Sequence, residues 1–112
     1  MGSITIGDKV TVIIDRPLGS SHPKYPKTVY PVNYGFIKGI IAGDGKEQDA
    51  YVLGVTKPLK TFTGRVIAVI KRLNDVENKL VVAPENAYFT SEQILQAVNF
   101  QEKYFQIQLI KQ

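Results

Sequence analysis

Apolar residues along most of this chain come in short, β-branched runs rather than at helical spacing. Val10-Thr11-Val12-Ile13-Ile14 is β-branched throughout and reads as a strand. Asp15-Arg16-Pro17 ends it, because proline has no N–H to continue a central ladder. Phe36 to Ile41 and Ala50 to Val55 are apolar runs on either side of a polar stretch, AGDGKEQDAYVLG at 42–54. Its Asp44-Gly45 pair is a strong hairpin signal. Arg65 to Leu73 predicts a long strand and Lys79 to Ala83 a shorter one, with a second polar tip from Leu73 to Lys79 between them. The period changes once. Thr90-Ser91-Glu92-Gln93 fits a capping box, and Ile94, Leu95 and Val98 follow at helical spacing, so a helix is expected to about Tyr104. Phe105, Ile107 and Leu109 then alternate with polar residues as a closing strand. The fold class is mainly β, a β-rich α+β chain: a small barrel or curved sheet with one helix packed on it.

Composition narrows this further. At 112 residues, without repeat, low-complexity tract or linker, the chain reads as one domain, 1–112. Apolar residues make up 44% of it, enough for a single core. It has no cysteine, which excludes thiolate metal sites, cysteine nucleophiles and disulfides. Neither a long apolar segment nor a signal-peptide core is visible, and Ile6 stands where a myristoylation start needs Ser or Thr. The expectation is a soluble, cytoplasmic protein without membrane contact. A net charge of +4 favours anionic ligands. The basic residues are too scattered for a nucleic-acid footprint. The nearest approach, His22-Pro23-Lys24-Tyr25-Pro26-Lys27, reads as a solvated loop within the Pro/Gly/Ser-rich segment 17–29.

Candidate chemistry gathers at the two polar tips. Asp44 and Asp49 lie five apart, and a loop can converge them on a hard cation, although a plain turn explains the same residues. Asn74, Asp75 and Glu77 allow the same two readings. Both tips precede apolar strands, so a curled sheet would bring them to one mouth, and carboxylates crowded there need cations. The tyrosines of Tyr30-Pro31-Val32-Asn33-Tyr34-Gly35, and Tyr104, are either core residues or hydroxyl donors to a phosphate oxygen or a metal-bound water. Lys79 is either an exposed strand end or a phosphate contact. His22 is the only histidine, no serine sits at a nucleophile elbow, and Gly-x-Gly-x-x-Gly and Walker A patterns are absent.

In order and spacing, YPVNYGFI, then GDGKEQDAYVLG, then ENKLVVAP resemble the soluble family I inorganic pyrophosphatases over roughly residues 10–105. The resemblance implies an OB-like five-stranded β-barrel with a C-terminal helix. It also implies hydrolysis of diphosphate by Mg2+, or Mn2+, held in acidic loops, with lysines, an arginine and tyrosines on the phosphates. Tyr30 and Tyr34 match the family's tyrosines, and Asp44 and Asp49 the outer aspartates of its acidic loop. Lys46 replaces the middle aspartate, which in the family helps activate the attacking water. Asn74, Asp75 and Glu77 match the second acidic tip, Lys79 the lysine after it, and Tyr104-Phe105 a Tyr-Lys pair that has lost its lysine. Thr11 and Ile13 stand where the family carries Lys-x-Glu, and Arg16, Lys24 and Lys27 are candidates for its loop arginine. The candidate catalytic residues are Asp49, Tyr34 and Glu47, the last as a partial stand-in for the missing middle aspartate. The candidate phosphate contacts are Tyr30, Lys79, Tyr104, Lys24 and, for anion binding without a full metal cluster, Lys46; the candidate metal ligands are Asp44, Asp49, Asp75 and Glu77.

At about 4 Å and an effective dielectric near 20, one unit-charge interaction is worth roughly 4 kcal/mol, so Lys46 for aspartate weakens a divalent site. Fewer metal ions and a slowed diphosphatase are expected. The alternative is a non-hydrolytic phosphate- or nucleotide-binding module, and a third reading is a barrel kept only as an interaction scaffold. The expected partner is diphosphate or a phosphorylated small molecule, with a homo-oligomer possible as in the family.

Overall fold

A computed structural model describes residues 4–42, 45–75 and 77–111. The elements run β1 (Lys9–Arg16), β2 (Asn33–Ile41), β3 (Glu47–Val52), β4 (Thr61–Arg72), β5 (Asn78–Ala83), α1 (Ser91–Glu102) and β6 (Ile107–Lys111). The sheet order β1-β2-β3-β5-β4-β6 carries an added β1–β4 pairing, which closes the first five strands into a barrel. β4 makes the closure by dividing one edge between two partners. Thr61 to Arg65 pairs with β1, and Ala68 to Arg72 pairs with β6. This is the OB-like five-stranded barrel with a C-terminal helix that the resemblance implied.

Both polar tips are hairpin turns. β2 and β3 are antiparallel across the first, where Gly45, at φ 83°, donates to the Ala42 carbonyl at 3.1 Å. β4 and β5 are antiparallel across the second. The strands start earlier than their apolar runs, because ladder pairing recruits polar residues at the barrel surface. Thr61 to Arg65 lengthens β4 in this way, and Thr63 meets Thr11 hydroxyl to hydroxyl at 2.8 Å. β3 ends at Val52 instead of Val55.

Two apolar clusters share the strands between them. Val10, Val12, Ile37, Val52, Val66 and Val82 fill the barrel, while Tyr51, Ala68, Ile70, Val81, Ile94 and Val98 pack between barrel and helix. β5 is buried on both faces, which explains its continuous apolar sequence. A bulge between Val66 and Ala68 switches β4 from one cluster to the other: Val66 pairs with Val82 inside, and Ala68 with Val81 beneath the helix.

The capping box forms as expected. The Gln93 amide donates to Thr90 Oγ1 at 3.1 Å, and the Thr90 amide to Gln93 Oε1 at 2.8 Å. The helix stops at Glu102, two residues short of Tyr104, with Lys103 as its C-cap. Its buried stripe is Ile94, Val98 and Glu102, whereas Leu95 is exposed. No described helix is long and apolar enough to cross a membrane.

Candidate active site

A cleft of about 730 Å³ opens beside the barrel, bounded by the end of β1, the segment 17–29, β3, β5 and the end of α1. Each wall has a local cause. The β1–β2 register slips between Ile14 and Arg16, and this bulge carries Asp15 and Arg16 into the cleft wall. Tyr34 follows on β2, where Gly35 lets the two backbones touch: a Cβ there would collide with the Ile13 carbonyl. β3 and β5 run parallel with Ala50 opposite Leu80, so Asp49 and Lys79 enter the cleft side by side.

The charged centre is compact. Lys79 Nζ lies 2.6 Å from Asp49 Oδ2 and 2.6 Å from Glu77 Oε1, and Lys79 is buried. A buried ammonium is tolerable only when paired in this way. The Tyr34 hydroxyl donates to the same Asp49 oxygen at 3.0 Å. Burial first, then the Asp49 charge, pushes the Tyr34 phenol far above its ordinary range, so it remains an O–H donor. Burial also raises the Tyr30 phenol, against the opposing charge of Arg16. Asp15 is raised chiefly by desolvation and further by Asp49, with Arg16 pulling the other way.

Behind the cleft lies a buried network that the sequence did not reveal. Arg72 grips Glu102 bidentately, Nε to Oε1 at 2.9 Å and Nη2 to Oε2 at 2.7 Å, while Nη1 reaches Glu77 at 3.1 Å and Asp75 at 3.6 Å. Its guanidinium lies 3.7 Å from the Phe105 ring centroid. Desolvation alone would lower the Arg72 pKa; the hydrogen bonds and charge of Glu102 outweigh it and raise it. The Tyr51 hydroxyl donates to Glu102 at 2.6 Å and accepts from Gln101 Nε2 at 2.7 Å, and the Tyr30 hydroxyl donates to Gln101 Oε1 at 3.2 Å. Burial, followed by Glu102, holds the Tyr51 phenol well above its usual value.

The structure sorts the candidate residues. Tyr30, Tyr34, Asp49, Lys79 and the exposed Tyr104 line the cleft together. Glu77 stands between Lys79 and Arg72, and Asp75 beside Arg72. Glu47 stands outside the cleft lining. Its carboxylate accepts from the Gly39 amide at 2.9 Å, because the irregular β2 segment between Ile37 and Ile41 swings that amide over its own hairpin. Lys46 is exposed in the turn and Lys24 lies near the Tyr25 ring, both outside the cleft lining. Arg16, of the three loop-arginine candidates, lines the cleft. Asp44 lies outside the described residues. Thr11 faces outward to Thr63, as its lost charge allows.

Asp15, His22, Arg72 and Gln101, which line the cleft, and Glu102 behind it are not among the candidates that the sequence offers. Glu102 had a readable signal, since it continues the four-residue spacing of Ile94 and Val98 onto the buried helix face. The bulge that aims Asp15 has no comparable local mark.

The family resemblance implies divalent ions, and the donor set tests that. Asp49 and Glu77 do converge, but on the Lys79 ammonium. No group of three His, Cys, Asp or Glu side chains is placed to hold a metal ion among the described residues. Asp49 and Glu77 each place one carboxylate oxygen on Lys79, and a divalent ion held by them would share these carboxylates with that ammonium.

Carboxylates, the buried cations paired with them and un-ionised phenols gather around one cleft of a closed barrel. The chain belongs to the inorganic pyrophosphatase family, whose model matches residues 9–108. Its enzyme class is therefore that of the inorganic diphosphatases, hydrolases acting on a phosphoric anhydride. Solved structures agree. An inorganic pyrophosphatase from Neisseria gonorrhoeae is 25% identical, with a TM-score of 0.68 over 90% of this chain and 78% of that one. Those from Ehrlichia chaffeensis (19% identity, TM-score 0.70, 98% of this chain and 92% of that one) and Coxiella burnetii (17%, 0.67, 99% and 89%) share the fold. No curated protein sequence matches.

Proposed function

We propose that this protein hydrolyses inorganic diphosphate to two phosphates, with a divalent-cation requirement met by Mg2+ or Mn2+ and a rate lowered by its own substitutions. The observation that carries the reading is Asp49 in the cleft, with one carboxylate oxygen held by both Tyr34 and Lys79. In the hydrolysis, a water oxygen bonds to one phosphorus as the bridging P–O bond breaks, and the departing phosphate carries off the bond's electrons. Asp49 receives the water's proton. Tyr34, kept un-ionised, orients Asp49 and donates where charge develops. Lys79 and Arg16 supply positive charge to the phosphate oxygens, with Tyr30 and Tyr104 alongside. The low rate follows from Lys46, which stands in the first acidic loop where the family carries an aspartate, while Lys79 competes with a divalent ion for one oxygen each of Asp49 and Glu77.

That same pairing favours a second reading, a module that binds a phosphorylated small molecule without splitting it. Phosphate release from diphosphate, with Mg2+ and separately with Mn2+, separates the two when run beside Asp49→Ala. Metal-dependent release that vanishes in Asp49→Ala supports the diphosphatase. Release no greater than in that variant, together with tight binding in a chelator, establishes the module instead.

A further inference from the structure

We propose that His22 is a substrate-binding residue of the cleft, presenting its Nε2–H to a phosphate oxygen of diphosphate. The proposal rests on diphosphate being the ligand. It deepens that reading by assigning a donor to the loop wall.

The segment 17–29 is built to hold this ring. The His22 amide donates to the Thr28 carbonyl at 2.8 Å, the Thr28 amide donates back to the Tyr25 carbonyl at 2.9 Å, and a bridge pairs Ser21 with Val29. Inside that closed loop, His22 Nδ1 accepts from two backbone amides, Lys24 at 3.0 Å and Tyr25 at 3.2 Å. A nitrogen accepting two N–H donors carries no hydrogen of its own, so the ring hydrogen sits on Nε2. The ring lies parallel to Tyr30, 8° apart with centroids 6.3 Å away, and tilted against Tyr25 at 5.1 Å. It is half-buried and lines the cleft with Arg16 and Tyr30. Among the described residues no group hydrogen-bonds Nε2, so a fixed donor is left on the wall of an oxyanion site. A loop that serves only as a turn has no need to fix the tautomer and the ring plane together.

Two substitutions separate the two ring nitrogens. His22→Asn keeps an acceptor near the Nδ1 position and so keeps the loop, but has no donor at the Nε2 position. His22→Gln reaches the Nε2 position with an amide N–H. Calorimetric titration with inorganic diphosphate should give about tenfold weaker binding for His22→Asn, the size of a lost hydrogen bond to a charged acceptor, at an unchanged thermal midpoint. His22→Gln should recover most of that loss. In 15N-labelled wild-type protein, diphosphate should move the Nε2 resonance more than Nδ1, a readout that needs neither variant to fold. Wild-type affinity in His22→Asn, no rescue by His22→Gln, or an unmoved Nε2 resonance would overturn the role of His22 while leaving the diphosphate site standing. Wild-type protein that binds no diphosphate would overturn both.

Discussion

Arg72→Met isolates the contribution of the buried network behind the cleft. Arg72 and Glu102 retain only 5% and 1% of their side-chain exposure, so almost no solvent screens the pair. Methionine fills much of the same volume against Phe105 but leaves the Glu102 carboxylate buried, with the Tyr51 hydroxyl as its remaining donor. Stranding one member of a buried pair typically costs about 3–5 kcal/mol. Total stability of a domain is commonly about 5–15 kcal/mol, so the loss is a large fraction of the whole. Glu77 loses its Arg72 partner too but keeps Lys79, so the damage should centre on Glu102. Urea unfolding should show a much lower midpoint with an unchanged slope. Adding Glu102→Gln should restore part of the loss, because the stranded charge is then gone. A cost for Arg72→Met below about 1 kcal/mol, the range of a solvent-exposed pair, would refute the argument.

Three further outcomes follow from particular positions. Asp15 has a folded pKa above its ordinary 3.8, so its share of stability is present below that value and is lost as pH rises through the raised one. Asp15→Asn should therefore flatten the fall of the unfolding midpoint between acid and neutral pH; an unaltered pH profile would show that desolvation does not govern this group. Gly35→Ala would press a Cβ into the Ile13 carbonyl and should cost about 3 kcal/mol or more by chemical denaturation, since backbone cannot rotate aside as a side chain can. Lys46→Asp should raise Mg2+ affinity, read by calorimetry, along with any diphosphate turnover. If both stay unchanged, the match of this turn to the family's acidic loop is wrong.

Local chemistry determined a good part of the molecule. A β-branched run, an Asp-Gly turn and a Thr-x-x-Gln cap act on residues a few positions apart, so β1, the first hairpin and the start of α1 could be read directly from the chain. The order of YPVNYGFI, GDGKEQDAYVLG and ENKLVVAP carried the barrel and the family, because blocks that match one scaffold in sequence order also match its topology. Tyr30, Tyr34, Asp49 and Lys79 lie within those blocks, and the cleft gathers them. What neutralises the acids was not legible. Lys79 reaches Asp49, and Arg72 reaches Glu102, across thirty residues of chain, through parallel strand pairing in one case and helix docking in the other. Glu47 and Asp49 carry the same charge two positions apart on β3, yet one turns to the Gly39 amide and the other to the cleft. Residue type fixed how much charge each side chain bears; only the closed barrel, by setting which charges share a solvent-poor interior, decided which of them would meet.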